Sequence, residues 1–263
     1  MRLVMMGTGP FAVPSFRGLY ESRHTVAALI TGMVKGVRDK FVPATPMRDL
    51  AHEHGTPIYD PEDVNADEAR ALLERLDADL FVVCDYGRIL SAETLATARL
   101  GGINLHASLL PKYRGAAPIN WALYHGDAET GVTVLHMTAR LDSGPCLVQR
   151  RTPIGLDEDA VQLERRLSQI GVDAVHESLG MIAQWDGQSP LGTPQDPTAA
   201  SKARRLKKTD GEVDWTRSAR QIANQVRALK PWPGTFSTWR RPHGEAMRLI
   251  LDHVSVATDM AST

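Results

Sequence analysis

The sequence predicts an α/β protein, with a Rossmann-like, doubly wound and mostly parallel sheet and a small, β-rich C-terminal domain. Short runs rich in Val, Ile and Leu alternate with helix-like segments through the first two-thirds of the chain. These runs are continuously apolar, as in strands that are covered on both faces. The composition then changes at residues 186–202, a stretch rich in Pro, Gly and small polar residues. Such a stretch is typical of a linker between two domains.

The predicted elements follow one another as strand, helix and strand, which favours a parallel sheet. Strands are predicted at residues 2–7, 25–31, 79–84, 102–108 and 131–138. Helices are predicted at residues 14–22, 45–54, 66–76 and 116–124. A long amphipathic helix is predicted within residues 157–185, because its aliphatic residues recur on roughly one face.

The chain is therefore divided into a first α/β domain at residues 1–185, a linker at 186–202 and a small, β-rich domain at 203–263. In the last part, Ser218 is the predicted N-cap of a helix that runs to Ala228 and ends before Pro231. About thirty residues remain after Pro231. At five or six residues a strand they allow two or three strands, too few for a closed barrel.

Composition and charge exclude several classes of protein. The chain has 30 basic and 31 acidic residues, which argues against a globally basic nucleic-acid binder but permits a local basic patch. No apolar run approaches the length of a membrane span, so no membrane association is expected. The two cysteines have neither disulfide-framework nor metal-site spacing, and no metal is expected. Gly7, Gly9 and Pro10 interrupt the apolar N-terminus, which indicates a buried strand, not a signal peptide, and a cytoplasmic protein.

The stretch GTGPFA, residues 7–12, formally matches the G-x-G-x-x-A dinucleotide fingerprint. The acidic residue that should hold the ribose is missing, because the second strand ends in Thr31 and Gly32. Pro10 also removes a backbone amide from the loop. We therefore predict a tight turn from strand to helix. A nicotinamide-dependent oxidoreductase stays open as an alternative, and it would bind NADH.

Asn104 and His106 lie two positions apart on a predicted strand, so their side chains share one face. Ligands bind beyond the carboxyl ends of strands in open α/β sheets. An amide donor beside an imidazole can stabilise an oxyanion and relay a proton. Asp142, in the turn sequence LDSG, either begins a turn or orients the ring of His106.

Several motifs resemble those of the 10-formyltetrahydrofolate-dependent formyltransferases. NLHASLLPKYRGAAPINWAL, residues 104–123, resembles their N-x-H…S-L-L-P-x-x-R-G-A-x-P-I core, and LDSG resembles their L-D-x-G. GTGPFAVPSF and DYGRIL are similar to two further motifs. Residues 210–237 look like a D-G-x-I-D-W…P-W-P-G-A segment of the methionyl-tRNA branch. The resemblance covers residues 1 to about 240 and implies the formyltransferase fold, with residues 1–185 as the catalytic domain and residues 203–263 as a partial, barrel-like (OB-like) domain.

The resemblance also implies an activity: transfer of a formyl group from 10-formyltetrahydrofolate to charged initiator methionyl-tRNA, without a metal. We expect the chain to be a monomer. Asn104 and His106 would sit at the formyl oxygen, and Asp142 would set the state of His106 and help to deprotonate the amine. The implied folate-binding residues are Val83, Tyr86, Gly87, Leu90, Ser108, Leu109, Leu110 and Pro111. The implied acceptor-binding residues are Phe11, Lys35, Arg38, Lys40 and Arg114.

The chain departs from the family pattern in several places. Only Lys35, Arg38 and Lys40 remain of a basic insertion after the second strand. By the resemblance, we expect the chain to stop partway through the C-terminal barrel. Asp85 and Ser91 replace the common Ala and Pro. Two other readings therefore stay open: formyl transfer to a nucleotide-linked amino sugar, and an inactive, shortened relative that still binds folate.

Overall fold

A computed structural model of the chain describes residues 1–33, 45–240 and 244–257. Its centre is a seven-stranded sheet in the order β3-β2-β1-β4-β5-β7-β8, in which the first five of these strands are parallel. β7 runs antiparallel to β5, and β8 antiparallel to β7. The strands of this sheet are β1 Arg2–Met6, β2 Thr25–Ile30, β3 Ile58–Tyr59, β4 Leu80–Cys84, β5 Gly102–His106, β7 Glu129–His136 and β8 Cys146–Pro153. The predicted, mostly parallel α/β fold is confirmed.

Helices cover both faces of this sheet, which explains why its inner strands are continuously apolar. The helices are α1 Val13–Tyr20, α2 Pro46–Glu53, α3 Asp67–Arg75, α4 Ala92–Leu95, α5 Pro118–His125, α6 Ala160–Gln184 and α7 Ala219–Ala228. On one face, which we call the α6 face, Val82 and Cys84 pack with residues of α1, α2 and α6. On the other face, which we call the α3 face, Phe81 and Val83 pack with residues of α3 and α4.

Of the sheet strands and helices named above, three are absent from the predicted set: β3, α4 and β8. Each of the first two is very short, and β3 contributes only two residues to the sheet edge. β8 is an edge strand whose exposed positions carry Gln149 and Arg151, so its sequence lacks the continuous apolar run of the central strands. The α6 prediction is confirmed, and Asp159 caps it with a reciprocal bond to Gln162.

The last part of the chain joins the first through several small elements. β6, Arg114–Gly115, pairs in parallel with β9, Lys202–Ala203. Ser218 caps α7 as predicted, and α7 packs against α5. β10, Thr235–Trp239, and β11, Met247–Leu251, form an antiparallel pair, which confirms the small C-terminal region of antiparallel strands. None of the helices within the described ranges is long and apolar enough to cross a membrane.

Candidate active site

A cavity of about 600 Å³ opens at the carboxyl ends of β4 and β5. Parallel strands direct their carboxyl ends to the same sheet edge, where loops from several strands meet. Asn104 and His106 line the cavity from β5, and Asp142 lines it from the loop between β7 and β8. The structure thus brings together the three residues that the sequence analysis singled out for chemistry.

Asp142 connects the other two residues. Its Oδ1 accepts a hydrogen bond from Asn104 Nδ2 at 3.2 Å, and its Oδ2 accepts one from the backbone N–H of Gly115 at 2.9 Å. The same Oδ2 lies 3.6 Å from His106 Nδ1. The side chains of His106 and Asp142 are only 6% and 8% exposed, so their interaction is little screened by water. The second amide hydrogen of Asn104 stays available to a ligand.

The backbone fixes the ring of His106. Nε2 lies 2.9 Å from the carbonyl oxygen of Tyr113, which can only accept, so Nε2 carries a hydrogen. In the neutral ring Nδ1 then holds the lone pair and faces Asp142. Nδ1 is therefore the ring atom through which His106 faces the carboxylate of Asp142.

The loop that carries Asp142 is held in a strained and crowded conformation. Asp142 has a φ of 46°, in the left-handed region, and Tyr113 on the facing loop has a φ of 63°. A Cβ at Gly144 would lie 1.8 Å from the carbonyl oxygen of His136, so this position requires glycine. Strained residues of this kind are common where a functional side chain must be placed.

The two faces of the sheet give the cavity two different sides. Ile103 and Leu105 point to the α6 face, so Asn104 and His106 point to the α3 face by strand alternation. The α3 side of the cavity is largely apolar and contains Val83, Tyr86 and Leu90. Gly87 of the same loop also lines the cavity. All four residues that the sequence analysis assigned to folate from this loop therefore lie beside Asn104 and His106.

Tyr86 carries an unusual hydroxyl group. The residue is 5% exposed, and among the described residues its hydroxyl has no hydrogen-bond partner. Burial raises the pKa of Tyr86 to about 12. A buried hydroxyl without a partner is energetically unfavourable. It gives the apolar side of the cavity one polar group for a ligand.

The α6 side of the cavity carries acidic groups. Phe11 lines it, together with Asp85 and Glu164. Burial, and then the negative charge of Glu164, raise the pKa of Asp85 to about 6. Burial also raises the pKa of Glu164. This side therefore differs from the apolar α3 side in charge.

The remaining predicted site residues lie elsewhere. Ser108 Oγ donates to the carbonyl of Lys112, which closes the turn after β5. Leu109, Leu110 and Pro111 line a separate pocket of about 370 Å³ instead of the main cavity. The side chain of Arg114 donates to Gln195. Lys35, Arg38 and Lys40 lie outside the described residues.

Gln195 supports the site although the sequence analysis did not identify it. Its Nε2 donates to the carbonyl oxygens of Asp142 at 2.9 Å and Gly144 at 2.7 Å. Its Oε1 accepts from the guanidinium of Arg114. Gln195 lies within residues 186–202, whose composition gives no sign of a contact with the Asp142 loop. Within the described ranges, no group of three or more His, Cys, Asp or Glu side chains is placed to hold a metal ion.

Comparisons with known proteins give matches over most of the chain. The family described as formyl transferase matches residues 1–179, and formyl transferase, C-terminal domain, matches residues 205–259. Methionyl-tRNA formyltransferase of Rhodopirellula baltica is 49% identical, with 90% of this chain and 73% of the relative covered. The protein of the same name from Geobacter metallireducens is 42% identical, with coverages of 98% and 81%. That from Hydrogenovibrio crunogenus is 38% identical, with coverages of 100% and 82%.

Solved structures show the same fold. An N-formyltransferase from Helicobacter canadensis, in complex with folinic acid and dTDP-3-aminofucose, has a TM-score of 0.67 and 19% identity over 86% of this chain and 79% of its own. HypX from Aquifex aeolicus, in complex with tetrahydrofolic acid, has a TM-score of 0.64 and 20% identity over 90% of this chain and 36% of its own.

Proposed function

The chain belongs to the formyl transferase family, and from that membership we propose that it transfers a formyl group from a folate to the amino group of methionyl-tRNA. The observation that carries this function is the cluster of Asn104, His106 and Asp142 in a cavity of a chain whose relatives have this activity. The product is the formylated aminoacyl-tRNA that supports translation initiation, and we place the reaction in the cytoplasm.

The co-substrate is a folate, and we assign its formylated form as 10-formyltetrahydrofolate, which supplies the formyl group on N10. The α3 side of the cavity fits a flat heterocycle, because it is apolar and holds one buried hydroxyl, that of Tyr86, without a partner. Val83, Gly87 and Leu90 complete this side. The end of β5 is fixed by residues that do not line the cavity themselves, namely Ser108, Leu109, Leu110 and Pro111.

The reaction requires a donor at the formyl oxygen, where negative charge develops as the amine attacks. Asn104 Nδ2 has one hydrogen available for this oxygen, since the other is bound to Asp142. His106 Nδ1, which lies 3.6 Å from Asp142 Oδ2, supplies a second donor when it carries a hydrogen. Asp142 also takes a proton from the attacking nitrogen. That proton passes to the leaving nitrogen of the folate.

The acceptor approaches on the α6 side, where Phe11 lines the cavity. Arg205 also lines the cavity, and the neighbouring Lys207 and Lys208 are exposed. We assign this basic run to the phosphate backbone of the tRNA, with Lys35, Arg38 and Lys40 as further contacts. Arg114 acts indirectly, through Gln195.

We further propose that residues 1–185 carry the chemistry, that 186–202 connect the parts and that 203–263 contribute to RNA binding, in a monomeric enzyme. A Lys207→Glu, Lys208→Glu variant tests the RNA contact. The slope of log KM for methionyl-tRNA against log salt concentration should decrease by about one for each lost phosphate contact, while KM for folate stays the same. Equal changes in both KM values would contradict the assignment.

The function itself is tested by formyl transfer from 10-formyltetrahydrofolate, run in parallel on methionyl-tRNA and on a nucleotide-linked amino sugar. Formylmethionyl-tRNA is the expected product, and a reaction without folate is the control. Product on the sugar alone would move the chain to the sugar branch. Folate binding without product on either acceptor would identify an inactive relative.

A further inference from the structure

The acidic pair on the α6 side has no place in the transfer step described above. Asp85 follows β4 directly, and Glu164 projects from the first turns of α6. Both line the cavity that holds Asn104 and His106. Glu164 belongs to α6, and the Asp85 carboxylate lies against Gly9 of the turn that leads to Phe11, whereas Tyr86 packs on the α3 face. The cavity therefore has an apolar side for folate and an anionic side for the other substrate.

The structure holds the carboxyl group of Asp85 at this place. A Cβ at Gly9 would lie 1.8 Å from Asp85 Oδ2, so the carboxylate lies against the backbone of the turn after β1. The carbonyl of Asp85 accepts a hydrogen bond from Thr8 N–H at 3.0 Å. Among the described residues, no hydrogen bond or ion pair engages its carboxylate. The formyltransferase motif commonly has Ala at this position, so the acid distinguishes this chain.

Other charged groups surround the same cavity, and none of them neutralises Asp85. The titratable and charged residues that line the cavity are Asp85, Tyr86, Arg88, His106, Arg140, Asp142, Glu164 and Arg205. Arg88 is bound to the carbonyls of Pro61 and Glu62 on the α3 side. His106 and Asp142 engage each other. The interaction that acts most on Asp85, after burial, is repulsion from Glu164.

We propose that Asp85, with Glu164 beside it, binds the amino group of the acceptor in its ammonium form, so that this chain selects the unformylated aminoacyl-tRNA. This inference rests on the proposed function and specifies how the acceptor is recognised. An α-amino group has a pKa of about 8, so it is mostly cationic at pH 7. A carboxylate pair in a recessed site attracts such a cation. The formylated product is a neutral amide, and the attraction ends when it forms.

The same contact accounts for one of the two protons that the ammonium group must lose. Asp85 accepts the first proton, which leaves a neutral amine and a carboxylic acid, and then releases it to solvent. The amine attacks the formyl carbon, the bond from that carbon to N10 breaks, and the second amine proton passes through Asp142 to N10. A carboxyl group with a pKa of about 6 has a pKa closer to that of the amine than an ordinary Asp has. The first proton transfer is therefore less unfavourable.

Asp85→Asn is the variant that isolates the charge. Asp85 has a φ of 50°, and Asn tolerates this left-handed conformation as well as Asp does, whereas Ala would add strain. Glu164→Gln removes the second charge. Glu177→Gln is the matched control, because Glu177 lies on the same helix but pairs with Arg150 outside the cavity.

The test compares the dissociation constants of methionyl-tRNA and formylmethionyl-tRNA at pH 7 without folate, so that no transfer occurs. The wild-type protein and the Glu177→Gln control should bind the unformylated form about tenfold more tightly, the size of a hydrogen bond between charged groups. Asp85→Asn should bring this ratio close to one while its affinity for formylmethionyl-tRNA is unchanged. The wild-type preference should also disappear as the pH falls through about 6, where Asp85 becomes protonated.

A wild-type ratio near one, or an Asp85→Asn variant that keeps the preference, would overturn the inference. So would an equal loss of affinity for both tRNAs in Asp85→Asn, which would indicate a structural role. A failure of the proposed function is detected by a different measurement, product formation by the wild-type protein. If that function were wrong, the wild-type protein would form no formylmethionyl-tRNA when 10-formyltetrahydrofolate is supplied.

Discussion

Replacement of Asp142 by Asn shows how the site depends on one carboxylate. In the wild-type protein its two oxygens accept bonds from Asn104 and Gly115, and the second oxygen faces His106. An Asn side chain has one oxygen, so either orientation places its NH₂ group against the N–H of Asn104 or of Gly115. The negative charge beside His106 is lost as well. The donor at the formyl oxygen is then displaced, and the ring of His106 loses its carboxylate partner.

The expected loss follows from these contacts. Displacement of one preorganised oxyanion donor reduces kcat by about 10²–10³, or about 2.7–4 kcal/mol of transition-state stabilisation. Loss of the proton acceptor adds to this effect. KM for folate should stay within about threefold, because the α3 side of the cavity is unchanged. Asn is preferable to Ala here, since Ala would leave the Gly115 N–H without an acceptor, at about 1–3 kcal/mol.

The assay is initial-rate formation of formylmethionyl-tRNA, with thermal unfolding measured on the same samples. The melting temperature should fall by no more than a few degrees, because one hydrogen bond of about 1 kcal/mol is affected in a chain of this size. A variant that kept a third or more of the wild-type kcat would refute the reasoning. A loss of activity accompanied by unfolding at the assay temperature would equally fail to support it.

Three further changes test the supports of the site. Gln195→Ala removes the hydrogen bonds to the carbonyls of Asp142 and Gly144, so kcat should fall about tenfold in steady-state assays with KM for folate unchanged. Full activity would show that the loop that carries Asp142 keeps its conformation without Gln195. Gly144→Ala places a Cβ against the His136 carbonyl, and the displaced loop should reduce kcat at least tenfold; an unaffected kcat would contradict the crowding. The third change, Asp85→Asn, concerns stability, because the pKa of Asp85 in the folded state is raised to about 6. The folded state therefore binds more protons than the unfolded state between about pH 4 and 6. The stability of the wild-type protein falls as the pH rises through that window. Because Asp85 is exposed to the solvent of the cavity, the penalty above pH 6 is reduced to about 1 kcal/mol. Urea unfolding should therefore show Asp85→Asn to be more stable than wild type at pH 7.5 and equal to it at pH 4. Equal stability at both values would contradict a raised pKa of Asp85 in the folded state.

The sequence predicted those elements whose signal is local. The central strands were found because both faces are buried, and α7 because Ser218 is a strong capping residue. Strand alternation placed Asn104 and His106 on one face, and the structure confirms that they share a cavity. β8 was missed because its exposed positions carry polar side chains.

Other parts of the site depend on contacts between distant segments. Gln195 reaches Asp142 across 53 residues, and no periodicity or motif indicates such a contact. Leu110 was assigned to the folate pocket, but its N–H donates to Thr133 Oγ1, which turns residues 109–111 toward the separate pocket beside β7. Asp85 was noted as a departure from the family motif, and the structure was needed to show which side of the cavity it lines. The individual roles of the site residues stay predictions.

The most direct test of the account is a single turnover with labelled 10-formyltetrahydrofolate bound to excess enzyme and then mixed with methionyl-tRNA. Wild type should transfer the label to the tRNA. The Asn104→Ala and His106→Ala variants should each bind the labelled folate normally but transfer it at least about 10²-fold more slowly, as expected for a lost oxyanion donor. Transfer at the wild-type rate by either variant would contradict the claim that this residue acts at the formyl oxygen.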